Sequence, residues 1–259
     1  MDLKGKTVLI TGAAHGIGKS FAKSFYKRGA RLVLVDIDGE ELKKVFAEVT
    51  GNKGPHIFMI KDLASHKDRQ SIFDELQAKN VEVEVLVNNI GIGYRGYVSD
   101  TPWEKLERVI DVNVKGTTHL TWLFLPQMKK RKSGGIINLS STGAFCGADV
   151  GSVYTGTKAY VSNFTEGLSM ELYDTGVQAT AAHPGATDTN FWKASGWANS
   201  DYNVKIKKMS PEDTAEEFIR AFCEKKAFII AGRRNRQMVF LAKFIPRELL
   251  KRMAIRKYE

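Results

Sequence analysis

The stretch from Thr7 to Tyr26 restricts the fold more than any other in the chain. Thr7-Val-Leu-Ile10 is a short, continuously apolar run, the pattern of a strand buried on both faces. It passes directly into Thr11-Gly12-Ala13-Ala14-His15-Gly16-Ile17-Gly18, after which Phe21, Ala22, Phe25 and Tyr26 recur at helical spacing. The glycines therefore sit on a strand-to-helix turn. There Gly12, Gly16 and Gly18 let the backbone approach a pyrophosphate, and the helix N-terminus at Ile17 presents free N–H groups to it. His15, a basic residue on the same turn, could also face a phosphate.

The pattern then repeats. Arg31 to Val35 is a second apolar strand and ends at Asp36, about twenty residues beyond the glycines. A carboxylate there can accept hydrogen bonds from both adenosine ribose hydroxyls and would repel a 2′-phosphate. The alternative is a loop aspartate capping the helix that begins near Gly39. Ile37 offers no second cation, so NAD(H) is preferred over NADP(H). Glu40 to Val49 reads as helix, His56 to Ile60 as strand, Ser65 to Lys79 as helix and Val83 to Val87 as strand. Such alternation specifies an α/β fold: a single doubly wound parallel sheet of about seven strands, of Rossmann type, with helices on both faces. Ligands in these sheets bind beyond the strand C-termini, where Asp62, Asn89 and Gly91 fall together with the glycine turn and Asp36.

Thr101-Pro-Trp-Glu104 reads as a capping box that opens a long helix containing Asn113. An asparagine inside a helix competes for backbone bonds, so this one is either solvated or kept for a polar task. Gly135 to Leu139 is the fifth strand, running into Ser140-Ser141; Val177 to Ala182 is the sixth, ending in His183-Pro184-Gly185; Ala227 to Gly232 is the seventh. Between the fifth and sixth, a helix from about Ser152 to Tyr173 carries Tyr154 and Lys158. Four residues apart, these two lie on one side of the helix. If that side borders a cleft, the ammonium can lower the phenol's pKa from about 10, so that the tyrosine exchanges a proton near neutral pH. By itself the spacing is common, and a half-exposed helix face is the alternative.

Taken together, the TGxxxGIG turn (Thr11 to Gly18), Asp36, Asn88-Asn89-Ile90-Gly91, Asn113, Ser141 thirteen residues before Tyr154, Lys158, and Pro184-Gly185 followed by Thr189 resemble the short-chain dehydrogenase/reductase family over roughly residues 3 to 190. The resemblance implies an oxidoreductase that interconverts a secondary alcohol and a ketone. It implies Tyr154 as general acid or base, Lys158 on the nicotinamide ribose, Ser141 on the substrate oxygen, and Asn113 holding a water in a proton relay to Lys158. It also implies that Asp62 and Leu63 flank the adenine, and that Pro184, Gly185, Thr187 and Thr189 hold the nicotinamide carboxamide. An NADP-dependent ketoreductase and a non-catalytic dinucleotide-binding module are the alternatives. A homodimer through the Asn113 and Tyr154 helices, or a homotetramer, is the assembly implied.

Composition bounds the rest. No run of eighteen apolar residues occurs, and the N-terminus enters a strand at once, leaving no room for a signal peptide. Two cysteines without metal-ligand spacing suit a reducing compartment, so a cytoplasmic location and no metal are expected. Of the net charge of +10, nine basic against two acidic residues fall between 233 and 259, leaving +3 for the other 232 residues. The expected organisation is a dehydrogenase domain over 1–232, with a substrate lid at 186–210, and a basic extension over 233–259. The lid carries Phe191, Trp192, Trp197 and Tyr202, which either receive a bulky apolar, lipid-like or steroid-like substrate or pack the lid onto the body. The extension has apolar residues at Met238, Leu241, Ala242, Ile245, Leu249 and Met253, with Pro246 dividing it into two helices. It either packs on the body or a sister subunit, or lies on an anionic membrane surface. No motif accompanies its charge that would indicate nucleic acid.

Overall fold

The computed structural model describes residues 2–147, 150–197 and 207–255, the side chains of 251 and 253–255 excepted. Among them, seven parallel strands, β1 (Thr7–Thr11), β2 (Arg31–Asp36), β3 (Ile57–Ile60), β4 (Val85–Asn88), β5 (Gly134–Leu139), β6 (Val177–His183) and β7 (Phe228–Ile230), lie in the order 3-2-1-4-5-6-7. The order reverses between β1 and β4, which opens a crevice beyond their carboxyl ends.

Successive strand residues point to opposite faces, and the two apolar layers follow that period. Val8, Ile10, Leu32, Leu34, Val85 and Val87 face one layer. It is closed by α1 (Gly16–Lys27), α2 (Gly39–Thr50) and α8 (Pro211–Cys223). Phe21 of α1 stacks on Phe25 and on Phe218 of α8, with ring centroids 6.0 and 6.3 Å apart. Leu9, Val33, Val35, Leu86 and Ile136 face the other layer. It is covered by α3 (His66–Ala78), α5 (Thr117–Arg131) and α6 (Ser152–Glu171).

Local capping explains where several helices start. The side chains of Asp38, Ser65 and Ser210 accept from the backbone N–H of Glu41, Asp68 and Asp213, satisfying donors that the first helical turn leaves open. The capping box expected at Thr101 does not form. Thr101 donates its hydroxyl to the Tyr97 carbonyl at 2.7 Å, closing a short 3₁₀ turn (Val98–Asp100), and α4 (Trp103–Ile110) begins without a side-chain cap. The long helix expected to contain Asn113 runs on from there, with one local change of winding. A π-helical segment, Asp111–Gly116, separates α4 from α5 and contains Asn113. The remaining helices are α7 (Phe191–Ala194) and, on either side of Pro246, α9 (Arg233–Ala242) and α10 (Arg247–Ile255).

Candidate active site

The glycine turn joins β1 to α1 as the sequence pattern indicates. Gly12 (φ +66°) and Gly16 (φ +49°) occupy the left-handed region that disfavours a side chain. Space is equally short: a Cβ on Gly12 would lie 2.9 Å from Asn89 Nδ2, and one on Gly16 would lie 2.7 Å from Thr189 Cγ2. A Cβ on Gly18 would run into the Gly12 carbonyl oxygen. Bare backbone thus faces the crevice at a helix N-terminus, a cradle that fits a dinucleotide pyrophosphate. Half-buried Ile17 packs against the core beside it. Asn89 fastens the turn to the end of β4 by donating from Nδ2 to the carbonyls of Thr11 and Gly12, at 2.9 and 3.0 Å.

Asp36 is 7% exposed, and its carboxylate accepts from the backbone N–H of Ala14 and of Asp38, each at 3.0 Å. Asp38, not Asp36, caps α2, which removes the simple capping explanation for Asp36. His15 is exposed on the turn, and its Nε2 lies 2.9 Å from Asp38 Oδ2. Gly12, Asp36, Ile37, Asp62, Leu63 and Ile90 line a cleft beyond the strand ends, with Arg108 and Val112 on its far wall. Arg108 forks onto Asp62, at 3.0 and 3.2 Å. Nothing in the sequence reading pointed to Arg108; its spacing of four from Val112, which puts both on one helix face, was the available signal. Lys61 also borders the cleft, with its ammonium on Ser71 and Glu75 at 2.8 and 2.5 Å.

At the other end of the crevice, α6 presents Tyr154 and Lys158. Lys158 is 4% exposed, and its Nζ donates to the Leu139 carbonyl at 2.9 Å and lies 5.9 Å from the Tyr154 ring centre. Burial pulls its pKa down to about 8, which leaves it charged at neutral pH. Gly91 makes room for this amine: a Cβ there would lie 2.6 Å from Nζ and 3.7 Å from Asn113 Oδ1. Asn113 is fully buried. It accepts from Ile92 N–H and donates to Ile92 carbonyl and Thr157 Oγ1, each at 2.9 Å. Its side chain therefore locks the loop after β4 to α6 through Thr157, a residue the sequence reading passed over although it sits three positions from Tyr154.

The two serines after β5 separate cleanly. Ser140 is buried and donates to the Lys158 carbonyl at 2.6 Å, so it fixes the α6 backbone. Ser141 is half-buried and caps the 3₁₀ turn Thr142–Phe145 by accepting from Gly143 N–H at 3.0 Å. Beyond β6, His183 is fully buried and bridges Ser162 (2.9 Å) and the Ile229 carbonyl (3.0 Å). Burial drives its pKa down to about 4.

Pro184 to Thr189 closes over the crevice. The Pro184 carbonyl accepts from Thr142 N–H at 2.9 Å, Thr187 donates to the Gly185 carbonyl at 3.1 Å, and Thr189 abuts Gly16. In the segment expected to form a lid, Phe191 stands 5.3 Å from Tyr154 ring to ring, and Trp192 donates to the Thr187 carbonyl at 2.9 Å. Trp197 is buried, with Arg95 5.8 Å above its ring. Tyr202 lies outside the described residues. Phe145 packs on His183 and Phe228 at 5.1 and 6.0 Å, towards the sheet edge, while Cys146 is exposed. Among the described residues no group of His, Cys, Asp or Glu is arranged to hold a metal ion.

Comparison with known proteins adds the following. The family described as short chain dehydrogenase matches residues 6–199. An uncharacterized oxidoreductase of Thermotoga maritima is 32% identical, over 88% of this chain and 94% of its own. Among solved structures, a short-chain dehydrogenase from Sphingobium yanoikuyae in complex with NADPH superposes with a TM-score of 0.80 at 29% identity, over 87% of each chain. A 7beta-hydroxysteroid dehydrogenase superposes with a TM-score of 0.86 at 25% identity, over 98% of this chain and 99% of its own.

Proposed function

The chain belongs to the short-chain dehydrogenase family of oxidoreductases, and from that premise we propose that it interconverts a secondary alcohol and a ketone, using NAD(H), with Tyr154 as general acid and base. The observation that carries this reading is the buried Lys158 ammonium, 5.9 Å from the Tyr154 ring and anchored on the Leu139 carbonyl. A fixed cation at that distance favours the phenolate over the phenol, which suits a residue that gives up and regains a proton near pH 7. When bound, the dinucleotide supplies or accepts the hydride. Tyr154 then gives its proton to the substrate oxygen in ketone reduction and takes it back in alcohol oxidation. Ser141 orients that oxygen, and Asn113 with Lys158 supports the exchange of the proton with solvent.

Asp36 supports NAD(H). Its two backbone bonds leave acceptor capacity on each carboxylate oxygen, enough for both ribose hydroxyls, and its charge opposes a 2′-phosphate. The NADPH-bound Sphingobium relative represents the alternative. His15 would serve that alternative, yet its imidazole is engaged by Asp38. Phe191 beside Tyr154, with Trp192 next to it, favours a bulky apolar substrate, in keeping with the hydroxysteroid dehydrogenase likeness. We assign a homodimer to the outward faces of α5 and α6, where Thr118 bridges to Tyr160 at 3.0 Å beside an exposed Trp122.

One experiment tests the whole. Purified protein is titrated with NADH and NADPH and assayed on bulky secondary alcohols, alongside Tyr154→Phe. Tighter NADH binding is expected, with NAD-linked turnover lost by at least about a thousandfold in the variant while its NADH affinity holds. Near-normal turnover by Tyr154→Phe would sink the acid–base assignment, and tighter NADPH binding would overturn the cofactor.

A further inference from the structure

We propose that α9 and α10 form a foot that docks on an anionic lipid bilayer and holds the mouth of the active site against it. A helix on the surface of a globular body normally turns its apolar face inward. Here α9 does so only with Val239, flanked by half-buried Asn235 and Ala242. The largest apolar side chains of α9 and of the turn after it point the other way: Phe240, Leu241 and, just beyond the helix, Phe244 are 59, 60 and 72% exposed, and the two phenylalanine rings pack together at 5.2 Å. Of the apolar residues through which the sequence pattern offered packing on the body or a sister subunit, Ala242 and Ile245 are half-buried, whereas Met238, Leu241 and Leu249 are exposed.

Charge decides what covers this face. Arg233, Arg234, Lys243 and Arg247 are exposed and make no ion pair among the described residues, whereas Arg236 is paired with Glu217 at 3.0 Å. Two copies meeting face to face through α9 would bring those cations together, an unfavourable arrangement for a self-complementary interface. A bilayer with anionic headgroups accepts both features, the aromatic rings at the acyl boundary and the cations among the phosphates.

Position gives the docking a consequence. Asn235, on the inner face of α9, sits against Gly185 so closely that a Cβ there would collide with it, and α9 also packs on the turn Thr142–Phe145 beside Ser141. The foot therefore springs from the rim of the candidate site, and an apolar substrate would enter from the lipid side. Docking itself does not depend on the hydride-transfer reading, since it needs no turnover.

The test is co-sedimentation of the full chain with vesicles of phosphatidylcholine alone and of phosphatidylcholine mixed with phosphatidylglycerol. Binding to the anionic vesicles is expected to exceed binding to the neutral ones by about tenfold or more, and to weaken with salt. The pair Phe240→Ser with Phe244→Ser, and separately the trio Arg233→Gln, Arg234→Gln and Lys243→Gln, should each lose about tenfold or more of that binding. All five positions are exposed, so melting temperature and NADH affinity should be retained; the trio carries the test if the phenylalanine pair misfolds. Equal binding to both vesicle types, or undiminished binding by a folded variant, overturns the proposal. So does a drop in oligomer size on Phe240→Ser with Phe244→Ser in the absence of lipid, which would assign the face to a second copy.

Discussion

Lys158 shows how much of the candidate site depends on single residues in an apolar setting. Its amine, deprived of water, has a folded pKa near 8 against 10.5 for a free lysine. The folded chain therefore binds fewer protons than the unfolded one between those values, so stability rises with pH across that window. Below pH 8 the desolvation cost is present in full. In dinucleotide-free protein, the unfolding free energy of wild type relative to Lys158→Met, from urea titrations, is expected to be flat below pH 8 and to climb between 8 and 10.5, by about a few kcal/mol at most. A flat difference throughout would mean that the amine is better solvated than its burial implies. The Tyr154–Lys158 juxtaposition was legible because helical spacing alone puts the two on one side. Ser140 on the Lys158 carbonyl and Arg108 on Asp62 were not, because those partners are 18 and 46 residues apart and meet only through the fold.

At the scale of elements, the strands and the glycine turn were readable because period-two burial and a strand–turn–helix junction are local properties. The π-helical winding between α4 and α5 was not: Asp111–Gly116 carries no Pro, and its one Gly comes at the end of the segment. What the π-helical segment holds is Asn113, whose amide is satisfied by Ile92 and Thr157 on two other segments. Asn113→Ala would leave the half-buried Ile92 peptide groups without this partner and Thr157 Oγ1 with only its bond to the Tyr154 carbonyl, and should destabilise the chain by about 1–3 kcal/mol, read as a lower urea midpoint at unchanged slope. An unchanged midpoint would show that water replaces the amide. Thr101 teaches the converse lesson, since a sequence-perfect capping box lost its hydroxyl to the Tyr97 carbonyl four residues back.

For the molecule as a whole, exposed aromatic area is the quantity that composition could not locate. The α5–α6 face carries Trp122, 66% exposed, and Tyr160, which bonds Thr118 one turn away on α5. Sedimentation velocity should find a dimer or larger species, and Trp122→Gln with Tyr160→Gln should shift it towards monomer; an unshifted boundary would move the subunit contact elsewhere. The basic extension was legible as a charge surplus, but its outward apolar face emerged only with the packing of Val239. The main-chain anchors of the site have a different bearing. Lys158 rests on a carbonyl of Leu139, Asn113 on the peptide groups of Ile92, and Asp36 on the amides of Ala14 and Asp38. Peptide groups do not change when side chains do. Phe191 and Trp192, in the segment proposed as a lid, by contrast make their contacts through their own rings. Randomising the proposed lid is thus expected to breed new substrate preferences into this scaffold, with the main-chain anchors of Lys158, Asn113 and Asp36 inherited intact from parent to variant.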